Sequence, residues 1–202
     1  MLSSTNRLAA LVVATCFAAG LNVYATVATL GLLARAQTIE LPPSLDLLTS
    51  WWVIGASVAL YFIEFVADKI PAIDLVWNAL QTFVRIPVAG LLAYAAAAHL
   101  SPAEQLATGV LGGGIAFVAH SGKMAARVAV TPSPEPFSNL ALSAGEDVLA
   151  IFITWLAGRH PYWAAAIAMV LLASIFVLVK AVLRAVRTVF AGALRQLESR
   201  PG

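Results

Sequence analysis

The stretch Trp51–Ala67, WWVIGASVALYFIEFVA, carries a single charge, Glu64, and lies between Pro42-Pro43 and Pro71. A helix that crosses about 30 Å of hydrocarbon needs roughly 20 mostly apolar residues. Residues 50–67 fit that requirement, and so do five other segments, at about 8–34, 76–98, 106–130, 142–158 and 162–180. Proline marks the breaks between them: Pro102, then Pro132, Pro134 and Pro136, then Pro161. The fifth segment is short and depends on tilt or burial. The reading that follows is an all-α, polytopic membrane protein, a single membrane domain over 1–202 with six transmembrane helices.

Composition agrees. Hydrophobic residues make up 61% of the chain and charged residues 11%, with a mean hydropathy of +0.89, where a soluble domain carries about 25% charged residues. Cys16 is the one cysteine, so neither a disulfide framework nor a cysteine-based zinc site is available. Basic residues are dispersed, which argues against a nucleic-acid partner.

Lysine and arginine set the expected orientation. With six spans and the N-terminus inside, the cytoplasmic side receives Arg7, Lys69, Arg85, Lys123, Arg127, Lys180, Arg184, Arg187, Arg195 and Arg200. Only Arg35 and Arg159 fall outside. The expectation is N-in and C-in, in the cell's inner membrane. Arg7 followed by an apolar run and Val23-Tyr24-Ala25 also fits a cleaved signal peptide; apolar sequence continuing to Ala34 suits a span better.

The chain matches itself at an offset of 90. Pro42, Gly55, Val58, Phe62, Ile63, Ala67 and Pro71 fall on Pro132, Gly145, Val148, Phe152, Ile153, Ala157 and Pro161. Gly20, Ala34 and Arg35 fall on Gly112, Ala126 and Arg127 at an offset of 92. Two units of three helices, about 8–99 and 104–180, must run in opposite senses. This 3+3 inverted repeat is a feature of secondary transporters, whose sites lie where the repeats meet.

Ionisable residues at membrane depth are costly and face protein or water. Ser57, Tyr61, Glu64 and Asp68 form one helical stripe; Asp74, Asn78, Gln81 and Arg85 form another; His120, Lys123 and Arg127 form a third. Asn22, Thr26 and Thr29 make a neutral stripe after Gly20. Glu146 and Asp147 are expected to open the fifth helix, at the positive end of its dipole. The candidate substrate or ion pathway is therefore Asn22, Glu64, Asp68, Arg85, Lys123, Arg127, Glu146 and Asp147. The competing reading of the same residues is a static ion-pair network, and His120 fits helix packing better than metal ligation.

Two motifs fail on inspection. Ser121-Gly122-Lys123 after Gly112-Gly113-Gly114 lacks the phosphate-loop pattern: Phe117 stands where its first glycine belongs, and Met124 where Ser or Thr must hold magnesium. His120-Ser121 with Asp147 lacks a nucleophile elbow. No enzymatic activity and no cofactor are expected. The glycine triplet suits close helix packing or a break in the helix. From Lys180 onward, Lys180, Arg184, Arg187 and Arg195 share one face and Val182, Leu183, Val186 and Val189 the other. This basic amphipathic tail over 180–202 suits anionic lipid headgroups or a solvated end.

Ala18-Ala19-Gly20-Leu21-Asn22, Glu64-Phe65-Val66-Ala67-Asp68-Lys69-Ile70-Pro71, Gln81-Thr82-Phe83-Val84-Arg85 and Ser133-Pro134-Glu135-Pro136-Phe137-Ser138-Asn139 with Glu146-Asp147 carry a resemblance. Together they resemble a bacterial multi-pass membrane family known as domain of unknown function 4126, over about 18–160. The resemblance supports the segment boundaries and implies no activity. Glu64 with Asp68-Lys69 is also similar to the Glu-x-Gly-Asp-Lys-Thr signature of small cation/proton exchangers. An extra residue between the acids, Ile70 in place of Thr and Gly158 opposite Asp68 separate the two. The functional expectation is a small secondary transporter or channel-like permease, possessing a small solute or ion as substrate and forming a homo-oligomer. The alternative is a non-transporting scaffold or lipid-handling protein.

Overall fold

The computed structural model describes residues 4–130 and 136–198, and these are helical with short connections. In chain order they form α1 (Ser4–Leu21), α2 (Val23–Arg35), a 3-10 helix (Pro43–Thr49), α3 (Trp51–Ala67), α4 (Pro71–Ala96), α5 (Pro102–Val130), α6 (Pro136–Arg159) and α7 (Pro161–Glu198). Proline opens α4, α5, α6 and α7, where its missing N–H has no helical partner to lose. Ser101 and Glu104 close the start of α5 reciprocally. Glu104 Oε2 accepts from the Ser101 N–H (3.1 Å) and hydroxyl (2.6 Å), which holds this exposed carboxyl below the usual carboxylate range.

Every expected segment falls on helix, but the first is two helices rather than one span. The chain leaves helical geometry at Asn22 (φ −150°, ψ 104°), whose side chain accepts from the Ala25 N–H and starts α2 afresh. α2 then folds back along α1. Leu30 of α2 meets Leu11, Val12, Thr15 and Cys16 of α1 around one small void, although a straight helix of about 1.5 Å per residue would hold Val12 and Leu30 about 27 Å apart. The physical reason is the Asn22 side chain, which offers the backbone a local acceptor in place of the helical ladder.

Cross-contacts give the directions of the remaining helices. The Cys16 thiol lies 3.4 Å from the Ala89 carbonyl, Arg85 reaches the Gly20 carbonyl at 3.4 Å, and Gln81 bonds Tyr24 at 3.1 Å. α4 is thus antiparallel to α1. Gly90 faces Gly109 and Gly113 while Thr82 meets His120, so α5 returns antiparallel to α4. Gly31 packs on Ile54, and Gly158 on Ile39. The start of α1, the 36–50 segment and the α4–α5 and α6–α7 connections therefore gather at one end of the bundle. The α3–α4 turn lies at the other end, toward which α7 runs.

α1 is the central post and packs on α4, α5, α6 and α7. Val12, Cys16 and Ala19 belong to a core shared with α2 and α4. Ala14, Phe17, Ala18 and Leu21 belong to a second core shared with α6 and α7. Among the described residues three helical stretches are long and apolar enough to cross a membrane: Val76–Ala96, Leu140–Arg159 and Pro161–Thr188. The 3-10 helix and α3, bent by 62° at Ser50, make a fourth if counted together. These are the marks of a membrane protein. α7 packs on the bundle through one face, with Ala164 and Ala168 buried and Ile167 and Ile175 against the second core, and leaves large apolar side chains exposed on the other, among them Trp163, Val170 and Val177. Beyond Lys180 it continues as helix to Glu198, and the Lys180, Arg184 and Arg187 side chains are exposed.

Candidate functional site

The tip of the α1–α2 turn lies against a closed cluster of charges. α3 contributes Glu64 and Asp68, α4 Arg85, α5 Lys123 and Arg127, and α6 Glu146 and Asp147; each is at most 8% exposed. All eight residues singled out in the sequence, Asn22 included, meet here. The stripe spacing explains why: Glu64 and Asp68 are one turn apart on α3, as are Lys123 and Arg127 on α5.

Lys123 is the hub. Its Nζ lies 3.1 Å from Asp68 Oδ2, 3.3 Å from Glu146 Oε2 and 3.4 Å from Glu64 Oε1. Arg127 bridges the same acids, at 2.9 Å to Asp68 and 3.4 Å to Glu146. Arg85 pairs with Glu64 and donates to His120 Nδ1 at 3.0 Å. Because arginine only donates, that imidazole nitrogen accepts and the proton sits on Nε2. Nε2 then donates to Thr82 Oγ1 at 2.9 Å, and Thr82 donates to the Asn78 carbonyl at 3.3 Å. His120 is a neutral link that orients Arg85, in keeping with its reading as a packing histidine.

Asp147 stands apart from the ion pairs. Its Oδ1 accepts from Asn22 Nδ2 at 2.8 Å, and the Tyr61 hydroxyl lies beside it. Asn22 therefore serves two partners at once, the α2 backbone through its oxygen and Asp147 through its nitrogen. Glu146 and Asp147 do not open their helix as expected. α6 begins at Pro136, so the two acids sit in its third turn and owe little to the dipole, which acts within the first turn.

Three cations face four carboxylates among the described residues, one positive charge short of balance if all are ionised. The shortfall shows in the hydrogen bonds: Glu64 Oε2, Asp68 Oδ1 and Asp147 Oδ2 are buried with no donor, as is Gln81 Oε1. Among the described residues no three of His, Cys, Asp and Glu are arranged to hold a metal ion. Ser143, which donates to Asp68 at 3.3 Å, was not singled out from the sequence. Its signal was there, since it lies one turn before Glu146 and Asp147. The Ser133–Glu135 part of the motif after α5 lies outside the described residues, as do Arg200 and the side chains of Asp74 and Arg195.

An all-helical chain with membrane-length helices and a buried, acid-rich charge network defines the class. Within it, residues 9–181 match the family described as domain of unknown function (DUF4126), and the chain belongs to that family. No curated protein and no solved structure matches it.

Proposed function

We propose that this protein is a small multi-pass permease of the cell's inner membrane, not an enzyme, in which the charge cluster binds a cation or proton beside a helix pair broken at Asn22. The carrying observation is the set of donorless oxygens on three of its four buried acids. Buried polar atoms are rarely left unsatisfied, and an exception points to a water, an ion or a proton at the site. A helix pair that turns inside the bundle is also how transporters bring polar backbone to a site at membrane depth. Here the pairing is closed, as an occluded state requires.

The chain order supports the inverted repeat. α2, α3 and α4 run opposite in sense to α5, α6 and α7, in line with the offset of 90 and with Ala34 and Arg35 falling on Ala126 and Arg127. Gly20, however, lies on α1, which runs in the same sense as α5, so the unit over about 8–99 has four helices. The packing is less symmetric, since α4 and α5 share a long interface while α2 scarcely touches α7. The basic face of α7 is suited to anionic headgroups, beside which a second copy of the chain can pack.

The scaffold reading keeps one specific observation in its favour: among the described residues six ion pairs have side chains at most 9% exposed. Proton flux into proteoliposomes under an imposed pH gradient separates the two. Among the described residues Asp147 is the acid of the cluster without an ion-pair partner, so Asp147→Asn costs little stability. A permease loses at least about tenfold in flux with this variant, whereas a scaffold shows no protein-dependent flux with either chain. Equal flux in wild type and Asp147→Asn removes Asp147 from the mechanism.

A further inference from the structure

Among the described residues, Glu64, Asp68 and Glu146 each face at least one cation, whereas the partners of Asp147 are neutral. Its Oδ1 takes an N–H from Asn22 at 2.8 Å, and the Tyr61 hydroxyl lies beside it. Its Oδ2 is buried without a donor, in a residue 3% exposed. The charges that reach Asp147 come from Glu64 and Asp68 on α3, Arg85 on α4 and Lys123 on α5, with Glu146 next to it on α6. α1 and α2 hold no charge between Arg7 and Arg35, and α7 none before Lys180. The described cluster is one positive charge short, and a carboxyl oxygen without a donor becomes a donor once it holds a proton.

The surroundings of Asp147 suit a proton better than a metal ion. A hard metal cation is held by several oxygens at once, and the amide in contact with Asp147 offers none. Asn22 Oδ1 is taken by the Ala25 N–H, so Asn22 turns its own N–H toward the acid. That dipole opposes a cation and accepts either state of the carboxyl. Tyr61 also serves both states, since its hydroxyl donates to a carboxylate and accepts from a carboxylic acid. Its ring packs on Phe65 with centroids 6.1 Å apart. Unlike Asn22 and Asp147, Tyr61 is partly exposed.

We propose that the ligand of the cluster is a proton, carried on Asp147 Oδ2 and exchanged through Tyr61. In loading, a hydronium ion gives its proton to the Tyr61 oxygen as the phenol's own proton passes to Oδ2. Water is released, the phenol is regenerated with its hydrogen turned outward, and the carboxylate becomes a neutral acid that donates to it. Unloading is the reverse. The proposal rests on the cluster being a binding site and narrows its ligand from a cation or proton to the proton alone.

The test follows the full chain in lipid nanodiscs by infrared difference spectroscopy as the pH is lowered. A protonated-carboxyl band should appear that Asp147→Asn removes. Carbon-13 labelling of the aspartates should shift the same band in the wild-type chain, which assigns it to an aspartate without any variant. Tyr61→Phe should keep the band, move its frequency and slow its hydrogen–deuterium exchange by at least about tenfold. The titration is repeated with sodium or potassium chloride replacing choline chloride at constant ionic strength, and its midpoint should not move. A metal ligand competing for the site would lower the midpoint by about one pH unit per tenfold rise in the ion, and that result overturns the proposal. So does the absence of any titrating band that Asp147→Asn removes, which makes Oδ2 a hydrated carboxylate. Exchange and frequency indifferent to Tyr61→Phe overturn the role of Tyr61. Proton flux without a titrating Asp147 sinks this proposal and leaves the permease; a titrating Asp147 without flux does the opposite.

Discussion

Asn22 is the residue on which local backbone and buried electrostatics meet. As the cap of α2 it contributes about 1 kcal/mol, and substitution by alanine forfeits that. Alanine also leaves Asp147 Oδ1 buried without a donor, which costs about 1–3 kcal/mol more. Aspartate makes the sharper test. Asn22→Asp keeps a capping oxygen for the Ala25 N–H but sets a second carboxylate against Asp147, where the described residues already hold more acids than cations. It should destabilise the protein more than Asn22→Ala does. Adding Asp147→Asn restores one amide and one carboxylate with their places exchanged, so the double variant should recover most of the loss. Thermal unfolding of the four proteins in detergent measures this directly. A double variant no more stable than Asn22→Asp alone would mean that the 2.8 Å contact contributes nothing.

Among the elements, the glycines of α5 show what was legible in the sequence and what was not. Gly112-Gly113-Gly114 suggested either a break or close packing, and α5 runs through all three unbroken. Which glycine packs depends on helix rotation, which composition does not reveal. A Cβ on Gly112 would overlap Ala93 and the Cys16 sulfur, one on Gly113 would lie 3.4 Å from the Ile86 carbonyl, and one on Gly114 would meet nothing. Gly112→Ala should therefore loosen the α1–α4–α5 junction and lower the unfolding temperature. Gly114→Ala should be neutral, or should stabilise by up to about 1 kcal/mol through helix propensity. Equal effects from both would show that the α4–α5 interface is not where the structure puts it. The same division holds elsewhere. The charged stripes were readable because helix spacing alone aligns Glu64 with Asp68 and Lys123 with Arg127. The fold-back at Asn22 was not, because an apolar run of 27 residues around one small amide looks the same whether it crosses or returns. Hydropathy records burial and says nothing of direction.

For the whole molecule, that fold-back decides which end of the chain faces which side. Six straight spans place both termini in the cytoplasm. With α2 returning along α1, residue 5 shares an end of the bundle with residues 38 and 160, and residue 69 lies at the other. Arginine placement accommodates the change. The end that holds Arg35 and Arg159 gains Arg7, while Lys69, Lys180, Arg184 and Arg187 stay together at the opposite end, the one that the positive-inside rule assigns to the cytoplasm. Single cysteines in a Cys16→Ala background test this, since Thr5, Thr38, Lys69 and His160 are all exposed. An impermeant thiol reagent added to intact cells should label cysteines at 5, 38 and 160 alike, and should label one at 69 only after the membrane is permeabilised. Protection of position 5 together with position 69, while 38 and 160 react, would restore α1 and α2 as one full crossing. Asn22 could not then turn the chain inside the bundle, and the site would lose the broken helix on which the permease reading depends.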